Sequence, residues 1–175
     1  MANRIDSSSQ KLKWLSPAII GICLIAMPGM AHAANNCPWL NEATASGLLG
    51  GNAVGVFTAV AGQPSVCTFT QQGDGATRTL QITVEIATDP HGRFAALVQD
   101  CGTQTEILTA IGNEAVACAA DPHKRMLGER ALGRVRDQVF TITLSSSHKS
   151  DPVLNEDALK TRIYTAAEQV AGNLF

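Results

Sequence analysis

Residues 79–87, TLQITVEIA, decide the fold class. Leu80, Ile82, Val84 and Ile86 fall on one side of an extended chain, and Thr79, Gln81, Thr83 and Glu85 on the other. Side chains alternate across a strand, so a period of two means one buried and one solvated face, as in an antiparallel sheet. Upstream, Gly73-Asp74-Gly75 is a turn signal. Residues 66–71, with Cys67 and Phe69, then read as the other arm of a hairpin. Residues 53–60 form an earlier β-prone run, closed by Gly62-Gln63-Pro64.

Helical signals bracket these strands. Asn41 is a suitable N-cap for a short helix, Glu42–Leu49, that Gly50-Gly51 stops. Asp89-Pro90 opens a second helix, because proline at the first helical position sacrifices no hydrogen bond. Phe94, Leu97, Val98 and Cys101 follow at i, i+3, i+4, i+7 and give it one apolar stripe. Residues 103–110 carry no clear period, whereas Glu114–Ala119 reads as a short strand with Cys118. Residues 126–135 and 139–145 read as two strands joined at Arg136-Asp137-Gln138, with Phe140, Ile142 and Leu144 inward. A final helix over 156–173, capped by Asn155, carries Leu159, Ile163, Ala166, Ala167, Val170 and Leu174 on one stripe. The expected architecture is α+β: an antiparallel sheet of about five to six strands with helices packed on one face.

The N-terminus has a different character. Residues 1–13 are polar and carry Lys11 and Lys13, residues 14–30 are apolar and uncharged, and Ala31-His32-Ala33 places small residues where a peptidase would cut. This is the order of a secretory signal, so residues 1–33 are expected to be a cleaved signal peptide, with an uncleaved N-terminal anchor as the rival reading, and 34–175 a single α+β domain. The apolar core is short for a membrane span, so no stable span is expected after cleavage. Cys37 follows Ala34-Asn35-Asn36, which does not fit a lipidation box. Localisation is expected to be periplasmic or extracellular.

Of five cysteines, Cys23 lies in the signal and four remain. An even number in an oxidising compartment points to disulfides. Four cysteines allow three pairings. The favoured set is Cys37–Cys67, which would pin the N-terminus to an early strand, with Cys101–Cys118, which would close the segment between a helix end and the next strand. Each closure is worth roughly 3 kcal/mol by chain entropy. Zinc knuckles and redox pairs use closely spaced cysteines, and no Cys-x-x-Cys is present.

Formal charge is −2; Arg4, Lys11 and Lys13 outnumber Asp6 by two in residues 1–33, so the remainder sits near −4. That balance gives no reason to expect nucleic acid as a partner, and aromatic residues, at 5%, are too scarce for base-stacking platforms. Five basic residues gather at Lys124, Arg125, Arg130, Arg134 and Arg136. Arg130, Arg134 and Arg136 share strand parity and form a candidate anion patch, with Glu129 and Asp137 as neutralising neighbours. Ser145-Ser146-Ser147-His148 with Asp151 holds triad-type residues, but clustered in one polar loop without a Gly-x-Ser-x-Gly elbow. His91, His123 and His148 are widely separated, and Asp121-x-His123 is only a fragment of a metal site. Glu85, Asp89, Glu106 and Glu114 read best as caps and solvated positions. Trp39 is expected to pack near a disulfide.

Cys37-Pro38-Trp39-Leu40 before a small helix, Cys67-Thr68-Phe69 in a strand, Ile111-Gly112-Asn113-Glu114-Ala115-Val116, and a hairpin with Val135, Arg136, Asp137 and Phe140 form a pattern. It resembles a broad group of small exported bacterial domains of unknown function, among them envelope lipoproteins and kinase ectodomains with a fold similar to the photosystem protein PsbP. The resemblance implies an antiparallel sheet covered by helices and offers no catalytic residues to carry over. The expected function is a non-catalytic exported binding or interaction domain, with a small molecule or envelope protein as partner and no cofactor. The alternatives are a small secreted hydrolase using serine and histidine, or a thiol-disulfide protein.

Overall fold

The computed structural model describes residues 36–102, 104–121 and 126–175, which all fall in one compact unit. The expected signal, with Cys23, lies outside the described residues. Ten elements follow in order: α1 (Glu42–Leu49), β1 (Val54–Thr58), β2 (Ser65–Gly73), β3 (Ala76–Ile86), α2 (Pro90–Gln99), β4 (Thr105–Ile107), β5 (Glu114–Ala119), β6 (Leu127–Val135), β7 (Gln138–Ser146) and α3 (Glu156–Leu174). The strands form one antiparallel sheet in the order β1-β2-β3-β7-β6-β5-β4. Two meanders, β1–β3 and β4–β7, thus meet at a long β3–β7 seam running from Arg78↔Ser146 to Ile86↔Gln138.

The sheet has seven strands rather than five or six. The extra one is β4, three exposed residues at the edge, too short and too solvated to leave a period in the sequence. The β2–β3 hairpin turns at Asp74 and Gly75, with φ of 54° and 74°. Two consecutive positive φ values are what a two-residue hairpin loop requires, and Asp-Gly supplies them at low cost. At the end of α1, Gly50 takes φ 75° and its N–H bonds back to Ser46, closing the helix as a left-handed cap.

The alternation in β3 places Leu80, Ile82 and Val84 inward beside Phe140, Ile142 and Leu144 of β7. α1 and α3 cover this face with Ala45, Leu48, Leu49, Leu159, Ile163, Ala166 and Val170. Arg162 of α3 donates to the Leu48 carbonyl at 2.8 Å, satisfying an open group at the end of α1. Trp39 is buried in the same core, stacked edge-on to Phe57 with ring centroids 5.8 Å apart.

The expectation that every helix lies on one face is corrected by α2. Phe94 packs with Leu132, Val139, Cys101 and Cys118 in a second core. Leu132 and Val139 alternate with Ala131 and Phe140, which belong to the first core, so α2 lies on the opposite face. The β5–β7 half of the sheet is therefore covered on both sides. The β1–β3 half is covered on one, and its other face carries Thr68, Thr70, Thr79, Gln81 and Thr83.

Both disulfides pair as favoured: Cys37–Cys67 and Cys101–Cys118, each with Cα atoms 5.7 Å apart. The first ties the lead-in to β2 and the second ties the end of α2 to β5. α1 also guards the sheet edge. Ala53 N–H donates to Ser46 Oγ and Gly55 N–H to Glu42 Oε1, both at 2.9 Å, so helix side chains hold backbone donors that β1 turns away from β2.

Candidate functional site

Two charged side chains interrupt the apolar inward face, and they are treated differently. Arg78 shares parity with Leu80 and Ile82 and is fully buried. Its Nε and Nη2 donate to the two oxygens of Asp151 at 2.7 and 2.9 Å, and its Nη1 donates to Gln71 Oε1 at 2.8 Å. Asp151 also accepts Ser146 Oγ–H at 2.6 Å and the N–H groups of Val153 and Leu154 at 2.8 and 3.2 Å. Burial pushes the Asp151 carboxyl up, but Arg78, Ser146 and the two backbone donors outweigh it and hold it well below the usual carboxylate range. This is a closed clamp between the β2–β3 hairpin and the loop before α3. Every partner in it is used.

Glu129 is the opposite case. It lies on β6 with the parity of Ala131 and Val135, between Ala119 of β5 and Leu144 of β7. A carboxylate thus occupies a position that the sheet otherwise fills with core residues. It is half-buried, and no hydrogen bond or salt bridge from the described residues reaches it. Burial pushes its carboxyl up; Glu106 and Glu156 add to that, while Lys160 opposes it. A partly desolvated carboxylate with no bonded partner is a candidate for a functional role.

Glu129 opens onto a groove of about 540 Å³ between β4–β6 and the first turns of α3. Ala117, Ala119, Leu127 and Leu159 give the groove apolar walls, and Glu106, Glu156, Lys149 and Lys160 stand around them. The volume falls within the range of small-ligand sites, and so does the mixture of apolar wall and few charged groups. A second, shallower groove of about 440 Å³ runs between Phe94 and residues 107–116. Beside it Glu114 Oε1 accepts Arg134 Nε and Nη2 at 2.9 and 2.7 Å and meets His91 Nδ1 at 2.9 Å. His91 first, then Arg134, lower the Glu114 carboxyl. With Glu114 held by both, this cluster is a surface network built on the Glu114–Arg134 ion pair.

The structure disperses most of the sequence candidates. Arg134 is committed to Glu114, and Arg136 sits in the β6–β7 turn with φ 56° and its guanidinium over the Phe175 ring. Arg136 therefore leaves the strand parity that would have aligned it with Arg130 and Arg134. Arg130 bonds the Ala120 carbonyl through Nη2, while its buried Nε has no partner among the described residues. The serine run splits three ways. Ser145 is on the far face, Ser146 bonds Asp151, and Ser147 Oγ accepts the Thr77 N–H. His148 Nδ1 accepts the Ser150 N–H, so no histidine stands between Ser146 and its acid. Asp89 caps α2 through the Gly92 N–H, and Glu85 pairs with Arg93. Lys124, Arg125 and His123 lie outside the described residues. Glu129 shares strand parity with Ala131 and Val135, a signal present in the sequence itself.

No family model, curated protein or solved structure matches this chain. Among the described residues, no helix is long and apolar enough to cross a membrane. Two disulfides are consistent with an oxidising, extracytoplasmic location.

Proposed function

We propose that this chain is an exported binding module that holds a small ligand in the groove between β4–β6 and α3. The observation that carries this reading is Glu129: a half-buried carboxylate on the core-facing side of β6, bonded to none of the described residues and open to a cavity of ligand size. The contrast with Arg78, whose burial is fully matched by partners, supports a use for Glu129 other than holding the fold. The four paired cysteines and the signal-like order of residues 1–33 support export. The resemblance to small exported envelope domains points the same way and suggests a non-catalytic role.

The test is amide-resolved NMR of the disulfide-bonded protein against a fragment mixture of cations, anions and neutral apolar compounds. Shifts confined to Ala117, Ala119, Leu127 and Leu159 are expected. Shifts absent from the groove, or confined to the threonine-rich face of β2 and β3, overturn the reading.

A further inference from the structure

We infer that this chain forms a weak homodimer by stacking the open face of β1–β3 on the same face of a second copy. α2 covers the β5–β7 half of that side, and no described element covers the rest. The open face presents Thr68 and Thr70 of β2 with Thr79, Gln81 and Thr83 of β3. β1 extends it with Val54 and Val56, 69% and 56% exposed, and the adjoining part of β7 adds Thr141 and Thr143. None of these positions is charged, and residues 43–73, which include β1 and β2, hold no Asp, Glu, Lys, Arg or His. At the margins, Glu85 is paired with Arg93, and Arg130 beside Thr143 bonds the Ala120 carbonyl.

The chemistry of the face points to its own duplicate as occupant. A hydroxyl or a carboxamide both donates and accepts, so a threonine and glutamine surface offers a copy of itself a partner for each polar group. A two-fold pairing sets identical patches together, and here it brings no like charges into contact. A strongly charged partner would find no counter-charge on these strands, and a glycan no aromatic ring to stack on. Four strands about 4.8 Å apart and seven residues at about 3.3 Å each make a face of roughly 20 by 23 Å. Two such faces bury on the order of 1,000 Å², the lower bound for specific interfaces, so the dimer is a weak one. α2 stands as a step beside the face and confines the copy to this half of the sheet. Cys37 joins Cys67 on the core side, so the described lead-in enters from the covered face. The groove between β4–β6 and α3 opens on that covered face too, so a ligand there and a second copy do not compete.

The experiment is sedimentation velocity of the exported, disulfide-bonded protein over a concentration series at neutral pH, with amide NMR shifts followed on dilution. Reversible dimerisation is expected, with shifts on the open face of β2 and β3. Gln81 is exposed, lies between Thr68 and Thr143 near the middle of the face, and can carry a charge without entering the core. Gln81→Lys and Gln81→Glu should each weaken self-association at least about tenfold, because each sets like charges together across the two-fold. An equimolar mixture of the two variants should recover association, since the paired charges are then opposite. Unchanged urea midpoints report that both variants are folded, and Thr68→Lys with Thr68→Glu repeats the test on the neighbouring strand. A monomer at every concentration overturns the inference. So does association that both variants leave unaltered, or folded variants that do not recombine at either position. None of these results touches the ligand reading of the groove.

Discussion

Replacing Asp151 with alanine is expected to be among the most damaging single changes available to this chain. Arg78 and Asp151 both have fully buried side chains. The substitution removes two charge-assisted bonds of 2.7 and 2.9 Å and leaves Arg78 with Gln71 and a 3.5 Å approach to Asp74. It also removes the acceptor for Ser146 and for the N–H groups of Val153 and Leu154. Removing one member of a buried ion pair costs about 3–5 kcal/mol. Domains of this size have total stabilities of about 5–15 kcal/mol, so the loss is a large fraction of the whole. Urea unfolding at neutral pH with disulfides intact measures it as a fall in midpoint at constant slope. The double change Arg78→Met with Asp151→Leu should cost less than the two single changes together, because it strands no charge. The sign of the pH dependence is fixed too. Asp151 is lowered in the fold, so on acidification the unfolded chain takes the proton first. The clamp's contribution is then complete at neutral pH and lost as pH falls below about 4. A loss under about 1 kcal/mol in Asp151→Ala would refute the reasoning, since that is the range of a solvent-exposed pair.

Other outcomes follow from the same packing. Glu129→Gln should raise the melting temperature at neutral pH by a few degrees, the pattern of a residue kept for use at a cost in stability. Because Glu129 is raised in the fold, this gain should grow as pH climbs through its titration and vanish below the ordinary carboxylate range; differential scanning at several pH values checks it. Replacing Cys101 and Cys118 together with serine should cost about 3 kcal/mol in urea unfolding, as expected for a loop of that length. Gly133→Ala should cost about 1–3 kcal/mol by overpacking, because a Cβ there would enter the Phe140 ring across the sheet; a urea midpoint again reports it.

Much of the architecture can be read from local pattern. The boundaries of α1 and β5 follow from caps and turns, since Asn41, Gly50 and Asn113 punctuate the chain where the backbone changes. The face chosen by α2 is different. Its stripe of Phe94, Leu97 and Val98 says that one side is buried, not which side of the sheet buries it. The needed signal lies elsewhere, in the consecutive apolar pairs Ala131-Leu132 and Val139-Phe140. A strand with both faces covered loses its alternation there. β4 is paired to β5 by backbone alone and buries nothing, so no periodicity announces it. The clamp was hidden for a related reason. Arg78 and Asp151 are 73 positions apart, and only the β3–β7 seam brings them together. Glu129 needed no long-range knowledge, only its parity with Ala131 and Val135.

The placement of Glu42 and Ser46 bears on how this chain behaves in company. An outer strand with open N–H groups is a template on which another molecule can add its own strand, and Val54 and Val56 carry none of the charge that commonly deters this. Here Ser46 and Glu42 of α1 already accept the N–H groups of Ala53, just before β1, and Gly55, within it, and the opposite rim is only three residues long. The protection of this edge is thereby tied to α1 being folded. Losing that one small helix would both open the core and convert the sheet into a growth surface.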